Sequence, residues 1–146
     1  MRAKIAQEKL IEQSSIPYSI VHATQFFEFM KGIADASTDG DTVRLAPVLI
    51  QPTAAEDVAT EVAKVAVGAA VSGIVEVAGP EQFRLDELVR RYLGARDDPR
   101  SVIADPNARY YGAKLGERTL VPDNNATIGG TRFEDWLSHQ FVSATA

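Results

Sequence analysis

The sequence predicts an α/β fold in which short parallel strands are flanked by helices. Two short runs rich in β-branched residues, 18–23 and 74–78, have the composition of strands. Helical patterns lie between and after them, and strands that alternate with helices are typical of a parallel sheet. We therefore expect the two runs to pair in parallel. A length of 146 residues fits one domain, which we predict to span residues 1–146.

The first part of the chain contains a helix, the first strand and an aromatic cluster. Good helix formers dominate residues 2–14, and Pro17 ends the segment because the residue before a proline avoids the α region. Turn-forming residues fill 35–41, and the apolar stretch 43–51 is predicted to be extended with a break at Pro47. The aromatic cluster that follows the first strand consists of Phe26, Phe27, Phe29 and Met30.

Two Thr-x-x-Glu sequences predict capping boxes, in which the two side chains satisfy backbone donors at a helix start. One pairs Thr53 with Glu56, and the other pairs Thr131 with Glu134. Asp57 is assigned to the first of these helix starts, where a negative charge is stabilising. The valines of that helix recur at i, i+4 and i+7, which predicts one buried stripe. The stripe consists of Val58, Val62 and Val65.

The second half of the chain carries the clearest amphipathic pattern, over residues 84–96. A third short strand is predicted at 101–104, and residues 105–130 are predicted to be mainly loop. The buried stripe of the helix at 84–96 is formed by Leu85, Leu88, Val89, Tyr92 and Leu93. The apolar side of the final helix is formed by Phe133, Trp136, Leu137 and Phe141.

Composition and charge argue against several classes of function. A net charge of −5 disfavours a nucleic-acid partner, because phosphates would be repelled. No stretch is apolar enough to predict a membrane span, and the polar start predicts no signal peptide, so we expect a cytoplasmic protein. There is no cysteine, and the two histidines, His22 and His139, lie far apart in sequence, so we expect no metal site.

A series of short motifs resembles the middle and end of NmrA-like, atypical short-chain dehydrogenase/reductases. These motifs are residues 2–12, the run Ile-Pro-Tyr-Ser-Ile-Val at 16–21, Ala-Thr-Gln-Phe-Phe at 23–27, 50–59 and 75–81, which contains Gly-Pro-Glu. Each motif alone is modest, but their order and spacing together are specific. The resemblance implies a partial Rossmann-like fold and the substrate-side half of an NAD(P)-dependent oxidoreductase.

The resemblance also implies a set of site residues. Lys4 matches the lysine that holds the nicotinamide ribose in the family, so it is the catalytic and cofactor-binding candidate. Ala23, Thr24 and Gln25 would lie near the nicotinamide, but Thr24 and Gln25 could equally end the strand in a turn. The substrate pocket would be lined by Phe26, Phe27, Phe29 and Met30. Without an amino-terminal half, Lys4 is interpreted as a solvated helix lysine. The aromatic cluster could equally be plain core or an exposed patch.

Departures from the family pattern lead us to expect an inactive chain. The tyrosine that precedes Lys4 in the family would fall just before Met1, and His22 stands where many relatives have arginine. Gly129-Gly130 precedes a helix but is read as following no strand, so no phosphate cradle is expected. The expected chain lacks the amino-terminal nucleotide-binding half and so binds neither NAD nor NADP by itself.

Three functions remain open from the sequence. The chain is the substrate-binding half of a reductase, or a non-catalytic ligand-binding or regulatory module, or a self-associating structural domain. A small-molecule substrate is possible in the first two cases. An open sheet edge next to apolar residues predicts a homodimer, or a complex with a chain that supplies the missing half.

Overall fold

A computed structural model describes the backbone of residues 2–142 and the side chains of residues 3–140. It contains five helices: α1 (Arg2–Glu12), α2 (Met30–Ala36), α3 (Ala55–Val67), α4 (Leu85–Gly94) and α5 (Phe133–Val142). Its strands are β1 (Ser19–Ala23), β2 (Thr38–Asp39), β3 (Thr42–Leu45), β4 (Leu49–Ile50), β5 (Gly73–Ala78), β6 (Phe83–Arg84), β7 (Ser101–Ala104) and β8 (Thr127–Ile128). The mixed α/β class predicted from the sequence is confirmed.

The strands form three small sheets rather than one. The first sheet has the order β1-β5-β8 and is parallel throughout. The predicted parallel pairing of 18–23 with 74–78 is confirmed, with Ile20 opposite Ile74 and His22 opposite Glu76. In the second sheet β3 pairs antiparallel with β2 and parallel with β7, so the strand predicted at 101–104 belongs to a different sheet. The third sheet is the antiparallel pair β4 and β6.

The hydrophobic core lies away from the first sheet, between α2, β3, β4, α4 and α5. Phe27 and Phe133 are fully buried there, and the rings of Phe27 and Trp136 lie 5.4 Å apart. The five residues predicted as the buried stripe of the helix at 84–96 are all buried, which confirms that prediction. Phe141 lies outside the residues whose side chains are described.

The first sheet and its two flanking helices are far less covered. None of the residues of α3 is buried, and Val62 of the predicted buried stripe is exposed, while Val58 and Val65 are only partly buried. The stripe prediction is therefore wrong in degree, because three short strands offer too little surface to cover a 13-residue helix. In α1, the described side chains are exposed except those of Glu8 and Ile11, which are partly buried.

Neither predicted capping box forms. Helix α3 begins after Ala54, one residue beyond Thr53, and Ala54 has no capping side chain. The N–H of Ala55 instead donates to the carboxylate of Glu28, with both oxygens at 3.3 Å. Thr53 is fully buried between strand ends, a position that Thr-x-x-Glu spacing cannot reveal.

The second predicted box is replaced by side chains from other parts of the chain. Thr131 donates its N–H and hydroxyl to the carboxylate of Asp57, at 2.9 and 3.0 Å. Glu134 pairs with Arg91, and the N–H of Phe133 donates to Glu81 at 2.9 Å. Asp57 does lie in the first turn of α3, but it joins this helix to the segment before α5.

An arginine clasp joins α2 to the loop before β7. The guanidinium of Arg100 donates to both carboxylate oxygens of Asp98, at 2.9 and 2.7 Å, and to Asp35 at 2.9 Å. The hydrogen bond from Arg100 lowers the pKa of Asp98 to about 2. The pKa of Asp35 is lowered by its hydrogen bonds from Lys31 and then from Arg100.

None of the helices within residues 2–142 combines the length and the apolar character needed to cross a membrane.

Leu88 is fully buried in α4, so truncation should leave a cavity in the core. We expect Leu88→Ala to lower the free energy of unfolding by about 2–5 kcal/mol, as measured by urea denaturation. Leu10→Ala is the matched control, because Leu10 lies on α1 and is 71% exposed. Equal stability of the two variants would contradict the burial of Leu88.

Asp98 should make stability depend on pH in the acid range. Its pKa in the folded chain is about 2, below the unfolded value of about 3.9, so its ionised form stabilises the fold. That contribution is complete above the unfolded pKa and is lost as the pH falls towards 2. We expect Asp98→Asn to be destabilised at pH 6 and to approach the wild type near pH 2 in thermal melts. Asp97→Asn makes the same charge change on an exposed neighbour and is the charge-matched control.

Candidate functional site

A groove of about 660 Å³ lies between α1 and the first sheet. Successive side chains of a strand point to opposite faces, so Ile20 and His22 of β1 share a face with Ile74 and Glu76 of β5. Helix α1 contributes Lys4 and Glu8 to the opposite wall. Residues 119–121 also line the groove. We call this surface the α1–β1 groove.

A single segment, Gln51-Pro52-Thr53, fixes the carboxyl ends of β1 and β5 at one end of the groove. The Thr24 hydroxyl donates to the carbonyl of Gln51 at 2.6 Å, and the N–H of Thr53 donates to the carbonyl of Gln25 at 2.8 Å. The buried amide of Gln51 donates to the carbonyl of Gly79 at 2.8 Å. The backbone after both strands is therefore tied to one short stretch of chain.

Gly79 allows this crossing because it has no side chain. A Cβ atom at this position would lie 1.9 Å from the carbonyl oxygen of Pro52 and 3.2 Å from the Cα of Thr53. Both neighbours are backbone atoms, which cannot rotate away. The glycine of the Gly-Pro-Glu motif thus serves a close approach of two backbone segments at the end of β5.

Polar side chains in the α1–β1 groove make few contacts with one another. Nε2 of His22 lies 3.0 Å from Oε1 of Glu8, which joins β1 to α1. Glu76 accepts the N–H of Asp123 at 3.0 Å. Lys4 donates to Gln7 on its own helix at 3.4 Å. The groove therefore combines one imidazole, two carboxylates and one ammonium group.

The four residues assigned to cofactor binding lie together. Lys4, Ala23, Thr24 and Gln25 all line the α1–β1 groove, although about twenty positions separate Lys4 from the other three. Lys4 is exposed at its edge. The Oε1 atom of Gln25 is buried, and no hydrogen-bond donor reaches it within the described part of the chain. The structure thus brings this predicted set together at the carboxyl end of a parallel strand.

The four residues assigned to a substrate pocket do not line one common surface. Phe27 and Met30 are fully buried in the core, where Phe27 packs against Phe133. Phe26 is partly buried, and it contacts the exposed Phe29 edge to face at 5.3 Å. The plain-core interpretation therefore describes Phe27 and Met30, and the exposed-patch interpretation describes Phe29. A contact between any of them and a substrate stays a prediction.

Sequence reasoning missed Glu8, Glu76 and the role of His22 in the groove. Two signals were available. Lys4 and Glu8 are four positions apart on one helix, so they share a face. His22 and Glu76 fall on alternate positions of two strands predicted to pair, so a parallel register places them side by side. The contribution of residues 119–121 depends on the course of a long loop, for which the sequence carries no signal.

Gly129-Gly130 does follow a strand, contrary to the sequence interpretation. Strand β8 precedes it and pairs with β5, and α5 follows it. The backbone donors after the glycines are nevertheless occupied, because Thr131 donates to Asp57 and Phe133 donates to Glu81. A Cβ atom at Gly129 would lie 2.5 Å from the Asp57 carboxylate. The carboxylates of Asp57 and Glu81 thus occupy two of the backbone donors that a bound phosphate would use.

Within residues 2–142, no three histidine, aspartate or glutamate side chains are grouped so that they could hold a metal ion.

Neither known protein-family models nor curated proteins gave a match to this chain. The link to NmrA-like proteins therefore remains a resemblance carried by its motifs.

Gly79→Ala should disturb both the fold and the groove, because the added methyl group meets the backbone of Pro52. We expect a loss of about 1–3 kcal/mol or more in the free energy of unfolding, measured by denaturant titration. Gly94→Ala is the control. Its Cβ meets nothing within 4 Å, and alanine in a helix should stabilise by up to about 1 kcal/mol. A wild-type stability for Gly79→Ala would rule out the close approach.

Proposed function

We propose that the chain is the substrate-side half of an NAD(P)-dependent oxidoreductase similar to the NmrA-like, atypical short-chain dehydrogenase/reductases. Its fold would then be part of a Rossmann-like fold, and its compartment the cytoplasm. One observation carries the proposal: Lys4, Ala23, Thr24 and Gln25 converge on one groove. Ligands of α/β proteins bind at the carboxyl ends of parallel strands, which is where this groove ends.

The residues of the α1–β1 groove fit the uncharged end of a dinucleotide. Lys4 is exposed at the edge of the groove and would hold ribose hydroxyls. Glu8 and Glu76 would repel a pyrophosphate, which needs cations or free backbone donors. When bound, reduced nicotinamide would supply a hydride. The pyrophosphate would be held by the nucleotide-binding half of the enzyme.

Calorimetric titration with NADPH and NADH tests whether the groove binds the nicotinamide end only when a nucleotide-binding half holds the pyrophosphate. We expect no binding by residues 1–146 alone, and stoichiometric binding by an extended protein in which a glycine-rich nucleotide-binding half is fused ahead of Met1. In the extended protein, Lys4→Ala should weaken binding by roughly tenfold, as for the loss of one charge-assisted hydrogen bond. Lys9→Ala is the matched control, because Lys9 is on the same helix but does not line the groove.

Two results would count against the proposal. Binding of NADPH by residues 1–146 alone would show that the groove needs no second half. A lack of binding by the extended protein would remove the oxidoreductase assignment and favour a module without a cofactor.

Association with another chain is a second proposal, and the first sheet favours it. Strand β1 lies at the edge of that sheet, and no strand within residues 2–142 pairs with its outer side. Ile74 is 51% exposed on the groove face, and Val62 and Val67 are exposed on α3. Open strand edges beside apolar surface are templates for pairing. The partner would be a second copy of this chain or the chain that supplies the nucleotide-binding half.

Light scattering at micromolar concentration measures this association. We expect a dimer for residues 1–146. Burial of about 600 Å² of apolar surface would contribute on the order of 15 kcal/mol to the free energy of association, before the entropic cost of association is subtracted. Ile74→Lys should shift the chain towards monomer, whereas Ile103→Lys, on an exposed position of the second sheet, should not. A cooperatively folded monomer at these concentrations would contradict the proposal.

A further inference from the structure

We infer that the open edge of β1 pairs with β1 of a second copy of this chain. The two strands would run antiparallel, with Val21 of one copy opposite Val21 of the other. The inference rests on the association proposed above, and it names the partner and the register of that association. It involves no cofactor, so the titrations with NADPH and NADH do not bear on it.

The pairing of β1 with β5 determines which backbone groups of β1 face outwards. The N–H of Thr24 donates to the carbonyl of Val77 at 3.0 Å, and the backbone groups of successive residues in a strand point to opposite sides. The even-numbered residues of β1 therefore bond to β5. The odd-numbered residues direct both N–H and C=O to the open edge, and these residues are Ser19, Val21 and Ala23. None of these outward groups has a backbone partner within residues 2–142.

The outward groups are complementary to themselves. Identical strands related by a two-fold axis run antiparallel, and the two residues of a hydrogen-bonded pair exchange both of their backbone bonds. An axis at Val21 would place Val21 opposite Val21 and Ser19 opposite Ala23, so every outward group would find a partner. On the groove face, Ile20 would lie opposite His22 of the second copy. No two like charges would meet directly across the strands, a contact that opposes pairing.

The edge strand β7 of the second sheet differs from β1 in this respect. The N–H of Ser101 donates to Asp41, so the backbone groups of the next residue, Val102, face outwards. The outward carbonyl of Val102 accepts a hydrogen bond from the guanidinium of Arg90 at 3.1 Å. A charged side chain on an edge strand opposes pairing with another chain.

No comparable charge protects the edge of β1. Its sequence, Ser-Ile-Val-His-Ala, contains no lysine, arginine or proline. All five of its residues line the α1–β1 groove, so the edge is accessible. The contrast with β7 identifies β1 as the strand edge that is available to a second copy.

The helices that flank the first sheet would lie beside their copies in such a pair. The two-fold axis is normal to the sheet, so both α1 helices would be on one face of the joined sheet and both α3 helices on the other. Each helix keeps apolar side chains in solvent, Ile5 and Leu10 on α1 and Val62 and Val67 on α3. Burial of part of this surface would add hydrophobic stabilisation to the backbone bonds.

An exchange of charges at Val21 tests the register. Val21→Lys and Val21→Glu each place like charges opposite one another, and we expect each alone to raise the dissociation constant of the dimer by about tenfold or more in sedimentation experiments. An equimolar mixture of the two variants should restore the dimer, which also shows that both variants fold. Ile103→Lys and Ile103→Glu are the controls, because Ile103 is exposed on β7, and neither should alter the dimer.

An engineered disulfide gives an independent measurement, because the chain has no cysteine of its own. Opposite residues of a hydrogen-bonded antiparallel pair have Cα atoms about 5.5 Å apart, a separation that a disulfide spans. We expect Val21→Cys to form a covalent dimer under mild oxidation. Val75→Cys should not, since Val75 lies one strand further in and the two copies of it would be about 14 Å apart. Covalent dimers from both variants, or from neither, would overturn the register.

Hydrogen exchange of the wild-type chain, followed by NMR at high and low concentration, separates this inference from the association itself. In the dimer we expect the amides of Ser19, Val21 and Ala23 to exchange at least about tenfold more slowly than in the dilute monomer, whereas those of Ile20 and His22 are protected in both. Rapid exchange of the three outward amides in a dimeric sample would leave the association standing and sink this inference. A folded monomer at every concentration would overturn both.

Discussion

The crossing of Gln51-Pro52-Thr53 over the ends of β1 and β5 is the constraint on which the rest of the structure depends. This segment bonds to Gln25 on one side and to Gly79 on the other, and its residues are buried. It leads directly from β4, at the margin of the core, into α3, which flanks the first sheet. The well-packed core and the sparsely covered sheet are therefore joined through a few polar contacts. A methyl group added at Gly79 would overlap the backbone of Pro52 at this junction.

This connection explains why the same chain contains two regions with different packing. Leu88 and Phe133 lie where helices meet on several sides, so their surfaces are fully covered. The first sheet has α3 near one face and α1 near the other, and both helices keep most of their side chains in solvent. The first sheet and these two helices bury little apolar area by themselves. The stability of this layer therefore depends on the backbone hydrogen bonds that β5 makes with its neighbouring strands and on any surface that covers the layer.

Local sequence patterns predicted the elements that depend on local rules. The periodicity of residues 85–93 specified a buried helix face, and the two β-branched runs specified strands that pair in parallel. The capping boxes failed because Glu28, Asp57 and Glu81 reach helix starts or their flanking residues from distant parts of the chain. For the site, resemblance grouped Lys4 with Thr24 and Gln25. The pairing of Glu8 with His22 depended on how α1 leans on the sheet, which no local pattern encodes.

The positions of the carboxylates disfavour an anionic ligand group at the helix starts and in the α1–β1 groove. The first N–H of α3 already donates to Glu28 and that of α5 to Glu81, so each helix start already has a carboxylate beside it. Glu8 and Glu76 line the α1–β1 groove, and a phosphate about 4 Å from either would meet a repulsion of about 1–4 kcal/mol in a partly screened site. Neutral polar groups meet no such repulsion. The α1–β1 groove is thus better suited to a neutral polar group than to an anionic one.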